Sequence, residues 1–198
     1  YWIEIAKRKR FPRVVLRGVP IHVAEELQAQ VFDKIDRVVM TSATLTTSRG
    51  FDFIKERIGF QPDEELSLDA PFDYSRQALL YVPDDLPEPG DETGVYVEGI
   101  ANRCRELVAV SGGKTFILFT SYALLNQVYE KLDELQFQFP LIRQGDMPTG
   151  LMLKKFKEKP SVIFGTNSFW QGVDVPGDAL QSVIITKLPF DVPKEPLT

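Results

Sequence analysis

Short, continuously apolar runs alternate with segments of helical periodicity along the second half of the chain. The runs lie at 114–120 (KTFILFT), 140–143, 161–165 (SVIFG) and 182–186 (SVIIT). Apolar residues recur every three or four positions at 97–108 and 124–132, which predicts helices, and a shorter helix is predicted at 149–157. Strands that are apolar on both faces need cover on both sides, so the pattern predicts an α/β domain with a parallel sheet between helices. Ligands of such domains bind beyond the carboxyl ends of the strands.

The first part of the chain predicts fewer elements and a long acidic stretch. Strands are predicted at 14–19, 37–41 and 78–82, and helices at 22–33 and 51–58. Gly59 follows the second helix and is a favoured residue for ending one. Residues 61–98 carry eleven acids against one base, Arg76, together with several prolines, which favours a surface loop or linker.

Composition excludes several kinds of site. The chain has 198 residues, a net charge of −5, one His and one Cys. A single cysteine, Cys104, cannot form an internal disulfide, and with one histidine it cannot build a zinc or iron–sulfur cage. No apolar run approaches the roughly 18 residues of a membrane span, so we expect no membrane partner and a reducing, cytoplasmic location. The sequence does not begin with Met and is expected to be a piece of a longer protein.

One string is similar to a phosphate-binding loop without meeting its requirements. Residues 111–115 read SGGKT, but the first glycine of the motif would fall at Val108. The motif also needs a strand before it and a helix after it, whereas the predicted order here is helix and then strand. The string is therefore interpreted as a helix-to-strand turn, and the predicted domain lacks a P-loop of its own.

Three segments place small polar residues where a predicted strand ends. They are TSATL at 41–45, TSY at 120–122 and the loop GTNSFWQGVDVPG at 165–177. Hydroxyls and backbone N–H groups at such positions bind phosphates without reading base sequence. Packing alone is a poor explanation for three such segments in one chain, and the pattern favours a phosphate-bearing ligand.

Taken in order, these segments resemble one family of motor proteins. TSATL, LFTSY, QGD, GTNSFWQGVDVPGDAL and ITKLPFDVP are similar to the motifs of the DinG/XPD helicases of superfamily 2, above all the bacterial DinG branch. The resemblance implies two RecA-like domains with ATP between them and single-stranded DNA across both. It assigns residues 1–45 to the end of the first RecA-like domain, 46–77 to a connector and 78–198 to most of the second, with the first domain of the same protein as partner.

The resemblance also implies roles for individual residues. The coupling motif of the first domain corresponds to Thr41, Ser42, Ala43 and Thr44. The ATP-binding residues are Gly172 and Asp174. The nucleic-acid-binding residues are Thr120, Ser121, Tyr122, Gln144, Gly145, Thr166, Asn167, Ser168, Phe169, Trp170 and Lys187. Aromatic rings in this set would stack bases, and an acid such as Asp174 suits a sugar hydroxyl.

The chain departs from the family pattern in ways that bear on its own activity. Gln171 stands where the family commonly has an acid, and the P-loop, the magnesium motif, the iron–sulfur cysteines and the final arginine-rich motif are not in this sequence. The resemblance therefore implies an ATP-dependent DNA helicase, acting in DNA repair or replication, only for the full-length protein with ATP and Mg²⁺. An iron–sulfur cluster would belong upstream, and the 198-residue chain alone is expected to be inactive.

Two alternatives stay open at this point. One is a DinG-like ATPase that is linked to an exonuclease domain and does not unwind DNA. The other is a non-catalytic nucleic-acid-binding module that keeps the motor fold.

Overall fold

The computed structural model describes residues 2–6, 13–87, 94–135 and 137–190. These residues divide into two compact units, one within Tyr1–Leu80 and the other Tyr81–Phe190. Part of the predicted acidic linker, residues 88–93, and the last eight residues of the predicted second domain lie outside the described residues.

The first unit contains a small hairpin and short helices. Strand β1 (Trp2–Ala6) pairs antiparallel with β2 (Arg13–Arg17). The helices described here are α1 (Ala24–Gln30), α2 (Asp52–Ile58) and α3 (Tyr74–Gln77). Gly59 ends α2 with φ 73°, a left-handed conformation that glycine adopts without strain, as the sequence predicted. None of the described residues of this unit is buried.

Two of the predicted strands are not formed. The runs at 37–41 and 78–82 have no strand partner among the described residues. Val39 is 88% exposed and Leu79 is 94% exposed, so neither run has the buried environment that its composition predicted. An apolar run becomes a strand only where a neighbour supplies hydrogen bonds to its backbone N–H and C=O groups, and here no described neighbour does so.

The second unit is built on a four-stranded parallel sheet. Its strands are β3 (Lys114–Leu118), β4 (Leu141–Arg143), β5 (Ser161–Gly165) and β6 (Ser182–Ile185). The order across the sheet is β4–β5–β3–β6, so β3 is hydrogen-bonded on both sides. All four runs that predicted these strands are confirmed, and their carboxyl ends meet at one edge of the sheet.

Helices cover both faces of this sheet. They are α4 (Gly94–Val110), α5 (Tyr122–Glu134) and α6 (Thr149–Glu158). Ile117 and Phe119 are buried in the core that α4 and α5 share, whereas Phe116 and Leu118 are buried with α6 on the other face. The central strands β3 and β5 are buried on both faces and read as continuous apolar runs, whereas Val183 and Ile185 of the edge strand β6 are 52% and 48% exposed. The prediction of a parallel α/β sheet with helices on both faces is confirmed.

The string similar to a phosphate-binding loop is a turn between α4 and β3. Helix α4 ends at Val110, and Gly112 and Gly113 follow with φ values of 63° and 84°. The N–H of Gly113 donates to the carbonyl of Val108 at 3.0 Å, which satisfies one of the last carbonyls of the helix. The interpretation of this string as a helix-to-strand turn is confirmed.

Cys104 lies inside α4 and is 2% exposed, and burial raises the pKa of its thiol to about 12. Because the thiolate is the reactive form, we expect the thiol to resist an aromatic disulfide reagent in the folded chain at mildly alkaline pH. After unfolding in guanidinium the same thiol should react completely. Absorbance of the released chromophore measures both states, and a fast stoichiometric reaction of the folded chain would contradict the expectation.

Candidate nucleic-acid interface

Polar residues from two neighbouring strands meet at the carboxyl edge of the sheet. Gln144 follows β4, and Thr166 and Ser168 follow β5. The side-chain oxygen of Gln144 accepts from the Thr166 N–H at 2.6 Å and from the Thr166 hydroxyl at 3.1 Å. Its amide nitrogen donates to the Ser168 hydroxyl oxygen at 2.8 Å. The structure therefore brings together three of the residues predicted to bind nucleic acid.

The two adjacent aromatic residues after β5 have different environments. Trp170 is half-buried, and its indole N–H donates to the carbonyl of Phe119 at the end of β3, at 3.3 Å. Phe169 is 4% exposed, and its ring meets the ring of Phe116 edge-on with centroids 5.9 Å apart. A ring enclosed in the core is not available to stack on a base, so the structure assigns Phe169 to packing and leaves Trp170 as the partly exposed aromatic residue of this pair.

The residues that follow β3 form the beginning of α5. The hydroxyl of Ser121 accepts from the N–H of Leu124 at 3.3 Å, which caps the helix. Thr120 is half-buried, and Tyr122 is 51% exposed. The positive end of the α5 dipole therefore lies at the same edge of the sheet as Gln144 and Thr166.

A further set of hydrogen bonds at this edge involves Thr186 and Tyr96, which were not predicted to belong to the site. The N–H and the hydroxyl of Thr186, directly after β6, donate to the carbonyl of Leu118 at 3.1 and 3.0 Å. The hydroxyl of Tyr96 donates to the carbonyl of Thr186 at 3.3 Å, and burial raises the pKa of Tyr96. These bonds fix the backbone before Lys187, whose side chain is exposed. The sequence signal for the role of Thr186 was its place directly after a predicted strand and before Lys187.

Arg143 was also missed, and it holds the turn after β4. Its guanidinium pairs with Asp146 at 3.0 Å and lies 4.6 Å from the centroid of the Tyr129 ring. The hydrogen bond that Arg143 donates to the Asp146 carboxylate raises the pKa of Arg143. Between the paired residues, Gly145 takes φ 106°, a conformation that strains other residues. Opposite charges three positions apart around a glycine were the signal for this turn.

The loop after β5 runs on to the predicted ATP-binding residues. Gly172 has φ 75° and is exposed, and the Asp174 side chain is exposed as well. On either side of Asp174, Val173 and Val175 are partly buried against the core beneath α6. The ammonium of Lys157, in the last turn of α6, donates to the backbone carbonyl of Asp174 at 3.4 Å. The loop therefore starts at the carboxyl edge and passes the end of α6 that leads into β5.

The predicted coupling motif, residues 41–44, belongs to the first unit. All four residues are exposed. The Ser42 hydroxyl accepts from the N–H of Thr44 at 3.1 Å, a local bond that rigidifies the turn. Asn167, the remaining predicted residue of the β5 loop, is exposed beside Ser168.

Neither a metal cluster nor a membrane span is found in the part of the chain that the structure describes. No group of three or more His, Cys, Asp or Glu side chains among the described residues is arranged to hold a metal ion. Similarly, no described helix is both long enough and apolar enough to cross a bilayer.

Comparison with known proteins agrees with this geometry. Residues 104–198 match the family described as the helicase C-terminal domain. The chain is 36% identical, over 99% of its length, to the Mycobacterium tuberculosis protein named ATP-dependent helicase DinG. It is 34% identical, over 100% of its length, to the Escherichia coli protein named ATP-dependent DNA helicase YoaA. The chain carries a helicase C-terminal domain of the DinG-like type.

This match confirms the family resemblance that the motifs predicted, and the parallel sheet is consistent with a RecA-like fold. A further relative of the DinG-like domain is the Bacillus subtilis protein named 3'-5' exonuclease DinG, which is 32% identical over 99% of this chain. The chain spans 30% of the length of the first two relatives and 22% of the third.

Gly165, the last residue of β5, has no room for a side chain in this DinG-like domain. A Cβ atom there would lie 2.7 Å from the Cβ of Phe169, whose ring cannot move because it is packed in the core. We expect Gly165→Ala to destabilise the chain by about 1–3 kcal/mol, the usual cost of overpacking. Urea unfolding followed by circular dichroism measures the change.

Gly150→Ala in α6 is the matched control. Nothing lies within 4 Å of a Cβ atom at Gly150. Alanine there should leave stability unchanged or raise it by about 0.5–1 kcal/mol, because glycine is the poorer helix former. Equal stability of the two variants would contradict the proposed close approach of Gly165 and Phe169.

Proposed function

We propose that the chain is the C-terminal motor portion of an ATP-dependent DNA helicase that couples ATP hydrolysis to movement on single-stranded DNA. The observation that carries the proposal is the cluster at the carboxyl edge, where Gln144, Thr166 and Ser168 are joined by hydrogen bonds and Trp170 is tied to β3. The names of the relatives and the helicase C-terminal domain support it.

The edge has the chemistry that a sequence-independent grip on DNA needs. Hydroxyls, backbone N–H groups and the N-terminus of a helix bind phosphate oxygens whatever the base. Lys187 follows the tied backbone of Thr186 and adds a positive charge for the same ligand. Trp170 offers a ring face to a base, and stacking accepts every base because each has a π-face.

The later part of the loop after β5, around Gly172 and Asp174, is proposed to face the nucleotide. Gly172 and Asp174 are exposed there, while Val173 and Val175 anchor the loop to the core. Because one loop runs from Thr166 to Asp174, a shift of its nucleotide-facing part would be transmitted to its DNA-facing part. We propose this loop as the mechanical link between ATP use and the grip on DNA.

The remaining parts of the motor are proposed to belong to the full-length protein. Residues 1–45 would form the C-terminal end of its first RecA-like domain, residues 46–77 a connector between the two domains, and residues 78–198 most of the second domain. The P-loop, the carboxylates that hold Mg²⁺ and any iron–sulfur cluster would be supplied upstream, so that the 198-residue chain alone is inactive. The protein is proposed to act on single-stranded DNA in repair or replication, in the cytoplasm.

A second candidate function is an ATPase linked to an exonuclease that does not separate strands. The similarity to the protein named 3'-5' exonuclease DinG favours it. The two candidates differ in product: a helicase releases an intact labelled strand from a forked duplex, whereas the alternative shortens a labelled single strand. Gel electrophoresis of both substrates with the full-length protein and ATP distinguishes them.

Asp174→Ala in the full-length protein tests the nucleotide-facing role. The side chain is exposed, so its removal should spare the fold. We expect DNA-stimulated ATP hydrolysis to fall about tenfold or more, as when a charged hydrogen-bonding partner of a ligand is lost. A coupled ATPase assay with and without single-stranded DNA measures it.

Asp178→Ala serves as the control for that experiment. Asp178 is another exposed acid, four positions further along, and its carboxylate accepts only from Gln181, at 3.3 Å, among the described contacts. Its removal should leave the ATPase rate unchanged. Equal rates for Asp174→Ala and the unmodified protein would remove Asp174 from its proposed role.

Trp170→Ala tests the stacking role at the edge. Loss of the ring should weaken single-stranded DNA binding by about fivefold to a hundredfold, equivalent to about 1–3 kcal/mol for one stacked base. Trp170→Phe keeps a ring face and should retain most of the affinity, although it loses the bond to the Phe119 carbonyl. Fluorescence anisotropy with a labelled oligonucleotide measures the dissociation constants. Unchanged affinity in Trp170→Ala would show that the ring serves packing alone.

A further inference from the structure

We propose that Gln144 is a positioning residue, which orients the β5 loop for DNA instead of contacting DNA itself. This inference rests on the proposed function of the edge. The sequence motif placed Gln144 among the nucleic-acid contacts, but the oxygen and the nitrogen of its side-chain amide both form hydrogen bonds to the neighbouring loop. Gln144 would thus act on DNA through Thr166 and Ser168.

The orientation of the Gln144 amide is fixed by chemistry. The backbone N–H of Thr166 is always a donor, so the atom that faces it at 2.6 Å must be the amide oxygen. The same oxygen accepts from the Thr166 hydroxyl at 3.1 Å, which uses both of its lone pairs. The amide nitrogen is thereby directed to Ser168, 2.8 Å away, where it can only donate.

The direction of that last bond determines what Ser168 can offer. Because its oxygen accepts from Gln144, the proton of the Ser168 hydroxyl is free to be donated elsewhere. Ser168 is exposed, so the proton is available to an acceptor in solution. Phosphate oxygens of a DNA backbone are acceptors only, and a hydroxyl presented in this way suits them.

The backbone of Gln144 is itself held in place. Its backbone N–H donates to the carbonyl of Phe164 in β5 at 3.0 Å. The preceding residue, Arg143, is fixed by Asp146 and by the ring of Tyr129. A side chain anchored in this way transmits the position of β4 to the loop after β5, which is the property of a positioning residue.

The hydrogen bonds that join Gln144 to Thr166 and Ser168 are here called the clamp. Amide hydrogen exchange in the full-length protein tests the clamp directly. In Gln144→Met, which keeps the length of the side chain but not its polar atoms, exchange at the Thr166 N–H should accelerate about fivefold to thirtyfold, the range expected for the loss of one or two hydrogen bonds. Gln144→Glu keeps an acceptor for Thr166 and should restore slow exchange. Gln127→Met, at an exposed glutamine of α5, is the matched control and should change nothing. Mass spectrometry of a peptide that spans Thr166 gives the rates.

A double-mutant cycle on DNA affinity separates positioning from direct contact. If Gln144 acts through Ser168, Gln144→Met combined with Ser168→Ala should bind single-stranded DNA no more weakly than Gln144→Met alone. If both side chains contact DNA independently, the two losses should multiply. The DNA concentration that half-saturates the ATPase should rise in Gln144→Met, while the rate at saturating DNA stays within about twofold, because the effect is on DNA binding.

Both experiments can contradict the positioning role of Gln144. Unchanged exchange at Thr166 in Gln144→Met, or multiplied losses of affinity, would overturn the inference. If exchange also accelerates in β3, the substitution has opened the sheet, and Gln144→Asn, whose shorter amide cannot reach both partners, decides by the same two measurements. An unmodified protein that does not bind single-stranded DNA would overturn the proposed function, whereas accelerated exchange at Thr166 would still establish the clamp.

Discussion

The parallel pairing of β3 with β5 and β6 sets the position of the polar groups at the candidate interface. The three strands run side by side in one direction, so the residues that follow each of them emerge at the same edge. Both faces of β3 and β5 are buried beneath helices, and this burial holds the ends of these two strands in place. The hydrogen bonds from Thr186 to Leu118 and from Trp170 to Phe119 then join loops that are far apart in sequence.

The second unit could largely be predicted from sequence, because its signals are local. The central strands β3 and β5 are buried on both faces and therefore apolar, and the edge strands β4 and β6 each carry a short apolar run of their own. The runs at 37–41 and 78–82 have the same composition but gained no partner among the described residues. Composition reports the tendency to form a strand, whereas pairing depends on a neighbour that a local pattern does not reveal.

The details of the site were less predictable because they depend on contacts between distant residues. Phe169 and Trp170 are adjacent aromatic residues, and only the space beneath Gly165 and Phe116 determines that the first is buried. Gln144 was found by its motif, but its bonds to Thr166 and Ser168 cross 22 and 24 positions of the chain. Motif similarity therefore located the carboxyl edge of the sheet as the candidate site. The geometry then distinguished the residues that can face a ligand from the residues that hold those ligand-facing residues in position.

The enclosed thiol of Cys104 has a practical consequence for following motion in this molecule. Because the only cysteine of the 198-residue chain is shielded in α4, it need not be removed before a reporter is attached elsewhere. A cysteine introduced at an open surface position such as Gly150 would be the sole target for a maleimide fluorophore. Site-selective labelling of the native sequence background would then allow single-molecule distance measurements between the dye and a labelled oligonucleotide.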